Sequence, residues 1–266
     1  MADRALAVQA AAIRATPGVS RNRFYFWMAL LLALLMFAGF APSVYMRGAF
    51  FEVAPIPLYL HVHAAILTGW FLLFVVQTSL ASSGRLADHR KLGTAGAIYA
   101  AVAFIAALVA TFGFVPRTLA GGFTFDMDVS AFNEGSAGIT IGQFISNVVW
   151  SNLGAALSFA ILVALAIAYR GRPETHKRLM LLASISFMGP ALARVARWPF
   201  LGGEQGPFTF AAILGLLAAL VVYDLVTLRR VHPATLFGAG LRVLTLFGMQ
   251  FVASSEPGLA FIRALA

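Results

Sequence analysis

Six stretches of this sequence, near 24–43, 58–80, 92–115, 141–169, 179–198 and 208–228, are each about twenty residues or more of nearly unbroken apolar side chains. At about 1.5 Å of rise per residue, twenty helical residues cover the roughly 30 Å hydrocarbon core of a bilayer. Inside that core every backbone N–H and C=O must be satisfied within the protein, and an apolar run of this length meets the demand as a helix. A soluble helical bundle would require a polar face on each helix, and most of these segments have none. Charged residues make up 11% of the chain, against about 25% in a soluble domain. The expected fold is therefore all-α, a polytopic integral membrane bundle.

The formal net charge of +9 raises nucleic acid as a partner, and the positions of the charges exclude it. They sit in short turns between apolar segments, where the positive-inside rule places them. With the N-terminus inside, fourteen basic residues up to Arg242 fall on the cytoplasmic side. Only Arg47, Arg117, Arg194 and Arg197 fall outside. This bias predicts a cytoplasmic N-terminus in a bacterial inner membrane, with lipids and other membrane subunits as the expected partners. The chain has no cysteine, which rules out disulfides, thiolate metal sites and iron–sulfur clusters.

Three parts are expected. Residues 1–23 form a cytoplasmic segment in which 5–16 reads equally as a short surface helix or a tail, and no A-x-A-like cleavage site precedes the first apolar run. Residues 24–230 form the transmembrane bundle. Residues 231–266 form a C-terminal hydrophobic or interfacial helix and tail. The apolar run Val243–Ala253 is short and follows Arg242, and a full span would require that arginine to snorkel from inside its end. Six spans plus this extra helix, with a seventh span as the variant, are expected.

Chemistry points to the histidines: His61, His63, His89, His176 and His232. His89 follows His63 by 26 positions, so the two lie most of a bilayer apart and four histidines cannot form one cluster. An inner site can hold His89 and His176. Each opens a helix after a short basic turn and each is followed by two basic residues and Leu, the pattern of a parallel repeat of two hairpins. Neutral imidazole is a common metal ligand, and two on facing helices can hold a haem iron. Asp224 could orient a histidine ring or pair with Arg229 or Arg230. The opposing reading has each histidine capping backbone and bonding lipid phosphate at the boundary.

At the outer face His61 and His63 point about 200° apart on a helix and cannot share one ion. His63 is expected to face the bundle. Gln143, Asn147, Trp150 and Ser151 form a polar stripe across from it, and Arg194 and Arg197 lie at comparable depth. Polar groups facing into a membrane bundle mark a candidate ligand site, or interhelical hydrogen bonds with snorkelling arginines.

The run His61-x-His63, Trp70, Gln77, Gly84-Arg85 and His89-Arg90-Lys91-Leu92-Gly93, followed by His176-Lys177-Arg178-Leu179-Met180, resembles a family of uncharacterised bacterial multi-pass membrane proteins. That family carries a His-Arg-x-Leu-Gly corner and a later His-x-x-Met corner. The resemblance covers the second to fifth apolar segments and implies the multi-pass fold without a particular activity. The corners are also similar in style to the histidines of diheme b-type cytochromes, which place their ligands deeper in the helices.

No Walker loop, H-E-x-x-H or nucleophile elbow occurs. The leading expectation is a membrane protein with a histidine-based cofactor or ligand site, a redox component holding b-type haem or a metal ion. The alternative is a non-enzymatic accessory or small-molecule-binding subunit. A transporter ranks third, because within the spans only Asp224 is available for proton coupling.

Overall fold

The computed structural model describes residues 23–50, 56–131, 138–198, 201 and 205–266. The segment expected as a surface helix or tail over 5–16, most of the acidic stretch near Glu134 and most of the turn after Trp198 lie outside the described residues.

The chain is an all-α polytopic membrane bundle. Its helices are α1 (Phe24–Phe40), α2 (Leu58–Ser82), α3 (Leu86–Phe112), α4 (Phe114–Ala120), α5 (Ile141–Ala168), α6 (Pro173–Ser186), α7 (Gly189–Val195), α8 (Gln205–Leu228), α9 (Pro233–Ser254) and α10 (Glu256–Arg263). Among the described residues, six stretches are long and apolar enough to cross a membrane: α1 with the π-helical turn Ala41–Tyr45, α2, α3 continued by α4, α5, α8 and α9. The pair α6 and α7, bent by 52°, adds a seventh if the two helices form one span. Pro190 explains the bend, since proline lacks an amide proton and its ring collides with the preceding turn. Below, "inner" names the end of the bundle that carries the basic turns.

The C-terminal region differs from the expectation. In place of a short helix over 243–253, α9 begins at Pro233 and runs 22 residues. It lies antiparallel along α5 in constant register. The Ala253 carbonyl meets Ser146, Gln250 meets Ser151, Thr245 meets Ser158, and Gly238 packs on Leu162. From Ser146 to Leu162 this contact covers about 24 Å at 1.5 Å per residue, most of a crossing. Arg242 does not snorkel. It is 3% exposed and sits near the middle of α9, with its Nη1 3.4 Å from Thr245 Oγ1.

The core fills where α1, α2, α5, α6 and α8 meet. Leu32, Phe71, Phe159, Leu162, Ile185 and Leu220 are buried there. The Trp70 ring stands edge-on to Phe159 at 5.0 Å, and Phe159 stacks on Phe187 at 4.2 Å. Gly39 lets α1 approach α7 so closely that a Cβ there would strike the Ala191 carbonyl. Outward positions are apolar too: Ile98 is 69%, Leu244 69% and Phe251 80% exposed. In water such a surface would drive association; in a bilayer it is the lipid-facing belt. A smaller outer cluster, with Val115, Val129, Ile145 and Ile262, closes the end where α10 folds back on α5.

Candidate functional site: the inner histidine corner

His89 lies in the first turn of α3, which the tight turn at Gly84 (φ 81°) brings back beside α2. The Arg85–Asp88 ion pair at 2.8 Å closes the start of that helix. Gln77 reaches across from α2. With its amide turned so that the nitrogen donates and the oxygen accepts, the nitrogen lies 2.7 Å from His89 Nδ1 and 3.2 Å from the His89 carbonyl, and the oxygen 2.9 Å from the Gly93 amide. His89 C=O and Gly93 N–H are four apart, so Gln77 takes both groups that one helical rung would join. This arrangement donates a proton to His89 Nδ1 and leaves the other ring nitrogen, Nε2, as the N–H.

His176 occupies the same place at the other corner. Its helix α6 starts at Pro173, and its Nδ1 donates to the Ala166 carbonyl at 2.8 Å. That carbonyl belongs to the last turn of α5, whose acceptors have no partner within the helix. The bond leaves His176 Nε2 with a free lone pair. Both histidines therefore reach back to the helix before their turn. The two half-buried rings come together with centroids 6.2 Å apart and planes at 79°.

Beside the pair lies a buried network. Arg178 donates Nε and Nη2 to Asp224 Oδ1 at 2.9 and 2.5 Å. Its Nη1 donates to Glu174 Oε2 at 2.6 Å. Asp224 Oδ2 accepts from the Thr235 hydroxyl at 2.6 Å and the His232 amide at 3.0 Å. Asp224 thus differs from both expectations for it: it neither orients a histidine ring nor pairs with Arg229 or Arg230. Those arginines sit in the turn itself, where Arg229 takes a φ of 57°, whereas Asp224 points inward to Arg178. His232 caps α9, its Nδ1 accepting from the Ala234 amide at 3.1 Å. Burial, and after it the Arg178 charge, hold this imidazole below its ordinary value. Lys177 pairs with Glu174 at 2.7 Å and sits 5.0 Å over the Tyr25 ring. The basic residues of this second corner are thereby engaged within the protein.

At the outer end the expected site divides. His61 is exposed, with Nδ1 3.4 Å from the Pro57 carbonyl. His63 faces α3 and donates from Nδ1 to the Ala106 carbonyl at 2.9 Å. Arg194 lies near it, stacked over Phe40 at 4.4 Å, with Arg197 one turn on. The polar stripe of α5 turns elsewhere. Gln143 bonds Asn147 at 3.2 Å and the Ala253 carbonyl at 3.3 Å, and Trp150 bonds the Gly258 carbonyl at 3.3 Å. Gln143, Asn147 and Trp150 seat α9 and α10 and do not join His63. Gln143 thereby satisfies a carbonyl at the end of α9 and Trp150 one in α10.

Sequence reasoning passed over Gln77, Glu174 and Thr235 as site residues. Gln77 carried a signal: a lone amide near the end of an apolar span, twelve positions before a histidine. Among the described residues no three His, Asp or Glu side chains gather as a metal-binding group. No family model matches this chain, and comparison with curated proteins and with solved structures returned no match.

Proposed function

We propose that this protein is a redox component of the bacterial cytoplasmic membrane that carries b-type haem between His89 and His176. The observation that supports the reading is the ring separation of 6.2 Å. His89 and His176 would hold the haem iron through their Nε2 atoms, and the haem would supply one-electron redox chemistry at this end of the bundle. Two imidazoles are also the whole share that a protein contributes to a bis-histidine haem. His176, with its Nδ1 proton on a carbonyl, has the tautomer of a ligand. His89 would take that tautomer only with its proton on Nδ1 and the Gln77 oxygen accepting from it, which would give up the Gln77 contacts with the His89 carbonyl and the Gly93 amide.

A second reading rests on the tautomers as they stand. One Nε2–H donor and one Nε2 acceptor suit a small ligand with one acceptor and one donor atom, the work of a binding or accessory subunit. Absorption spectra of the purified protein, oxidised and then dithionite-reduced, separate the two. A Soret band that shifts on reduction supports haem. A colourless preparation overturns the haem reading and leaves the second.

A further inference from the structure

The positive-inside bias makes each outer arginine an exception. Of the four, Arg117 and Arg197 both lie within electrostatic range of a third, Arg194. Arg194 is half-buried at the end of α7, where its Nη1 donates to the Pro190 carbonyl at 2.9 Å and its guanidinium lies on the Phe40 ring. Arg197 follows one helical turn later, continued by the Arg197 amide bond to the Arg194 carbonyl. Arg117 comes from α4, over Phe114 at 5.3 Å. There α2 is tied to the end of α3, just before α4, by Tyr59, whose hydroxyl bonds the Gly113 carbonyl at 3.2 Å, and by His63 on Ala106. Arg194 stands within electrostatic range of both Arg197 and Arg117, and His63 within range of Arg194.

Among the described residues, all four ion pairs lie at the inner end, and none engages these arginines. Asp128 of the outer loop is turned to the Ser130 amide at 2.8 Å. Like charges held together repel, and guanidiniums relieve this best by sharing an oxyanion through charge-assisted, often bidentate, hydrogen bonds. Arg197 is exposed and the other three side chains are half-exposed, so the cluster can be reached.

We propose that Arg117, Arg194 and Arg197, with His63, bind one oxyanion, a phosphate or carboxylate group, at the outer end of the bundle. The site is independent of the histidine pair at the inner end. The anion comes either from solution or from the headgroup of an acidic lipid.

The test is thermal unfolding of the purified protein in nonionic detergent, followed by tryptophan fluorescence. Inorganic phosphate is titrated at constant ionic strength against chloride, and dioctanoyl phosphatidylglycerol is titrated separately against the matching phosphatidylcholine. The expected result is a saturable rise of about 3 °C or more with at least one of them. Phosphate alone acting identifies a soluble anion; phosphatidylglycerol alone identifies a headgroup. Arg117→Gln and Arg197→Gln, whose side chains reach the surface, should each lose the rise while keeping wild-type helicity. Arg230→Gln, at the inner end, should keep it. No saturable rise with either anion, or an unchanged rise in both outer variants, overturns the proposal.

Discussion

Arg178 and Asp224, 46 positions apart, form a buried ion pair at 2.5 Å with side chains 1% and 0% exposed. The pair ties α6 to α8 directly under His176, and Thr235 and the His232 amide extend it to the start of α9. Removing one partner leaves an uncompensated buried charge, which costs about 3–5 kcal/mol. Asp224→Ala should therefore lower stability by that amount in a detergent unfolding assay. The double variant Arg178→Met with Asp224→Leu should lose much less than the two single losses together, because no charge is stranded. Additive losses would contradict the pair's role.

Gln77 decides which nitrogen of His89 carries the proton. Gln77→Glu places a carboxylate that can accept both the His89 Nδ1 proton and the Gly93 amide, the arrangement that favours Nε2 as a ligand. Cofactor binding should then equal or exceed that of the wild type. Gln77→Leu should weaken it by about 10–100-fold, the usual cost of losing such a partner. Retention of haem through detergent dialysis, quantified per chain, distinguishes them. Equal retention in the leucine variant and the wild type would contradict the role given to Gln77.

His232 gives the inner end a pH dependence. Its imidazole caps α9 in the neutral form and faces Arg178, Asp224, Glu174 and Arg230. Since its folded value lies below the ordinary 6.5, the unfolded chain binds the proton more readily. The contribution to stability is full above that ordinary value, is lost as pH falls from it toward the depressed folded value, and changes no further below. His232→Asn keeps a capping oxygen without a titrating group. The variant should show a flatter stability profile below about pH 6.5 than the wild type. Identical slopes would show that His232 is not the titrating group.

Gly39 permits the close approach of α1 to α7. A Cβ there meets the Ala191 backbone, which cannot move aside as a side chain can. Gly39→Ala should cost about 1–3 kcal/mol as overpacking. Gly215 has nothing within 4 Å of the same added atom, so Gly215→Ala should be neutral or slightly stabilising. Parallel melts of both variants check the contrast.

Five of the six expected apolar runs are long single helices, legible because hydrophobic length alone decides them, whereas the run at 179–198 is the bent pair α6 and α7. The helix α9 was expected as a short helix, with a full span as the variant, because Arg242 interrupts its run. Burial against α5 and the hydroxyls of Thr245 and Ser158 accommodates that guanidinium, and no local pattern announces such a neighbour. The proline bend lay in plain view at Pro190, whereas the packing of Ala191 on Gly39 beside it did not. In the candidate site, the repeated His-basic-basic-Leu corners correctly suggested that His89 and His176 share a depth, and they meet. The partner of Asp224 was not legible, because two nearby arginines competed on paper with one 46 positions away. The stripe of Gln143, Asn147 and Trp150 was visible as polar, but what it faced depended on the course of α9.

The most direct test of the central claim is the haem content of purified chains, by pyridine haemochrome, for the wild type, His89→Ala, His176→Ala and His232→Ala. One haem per chain is expected in the wild type and in His232→Ala, with none in the other two variants. Haem-free wild type, or haem retained at wild-type level when either His89 or His176 is replaced, would contradict it.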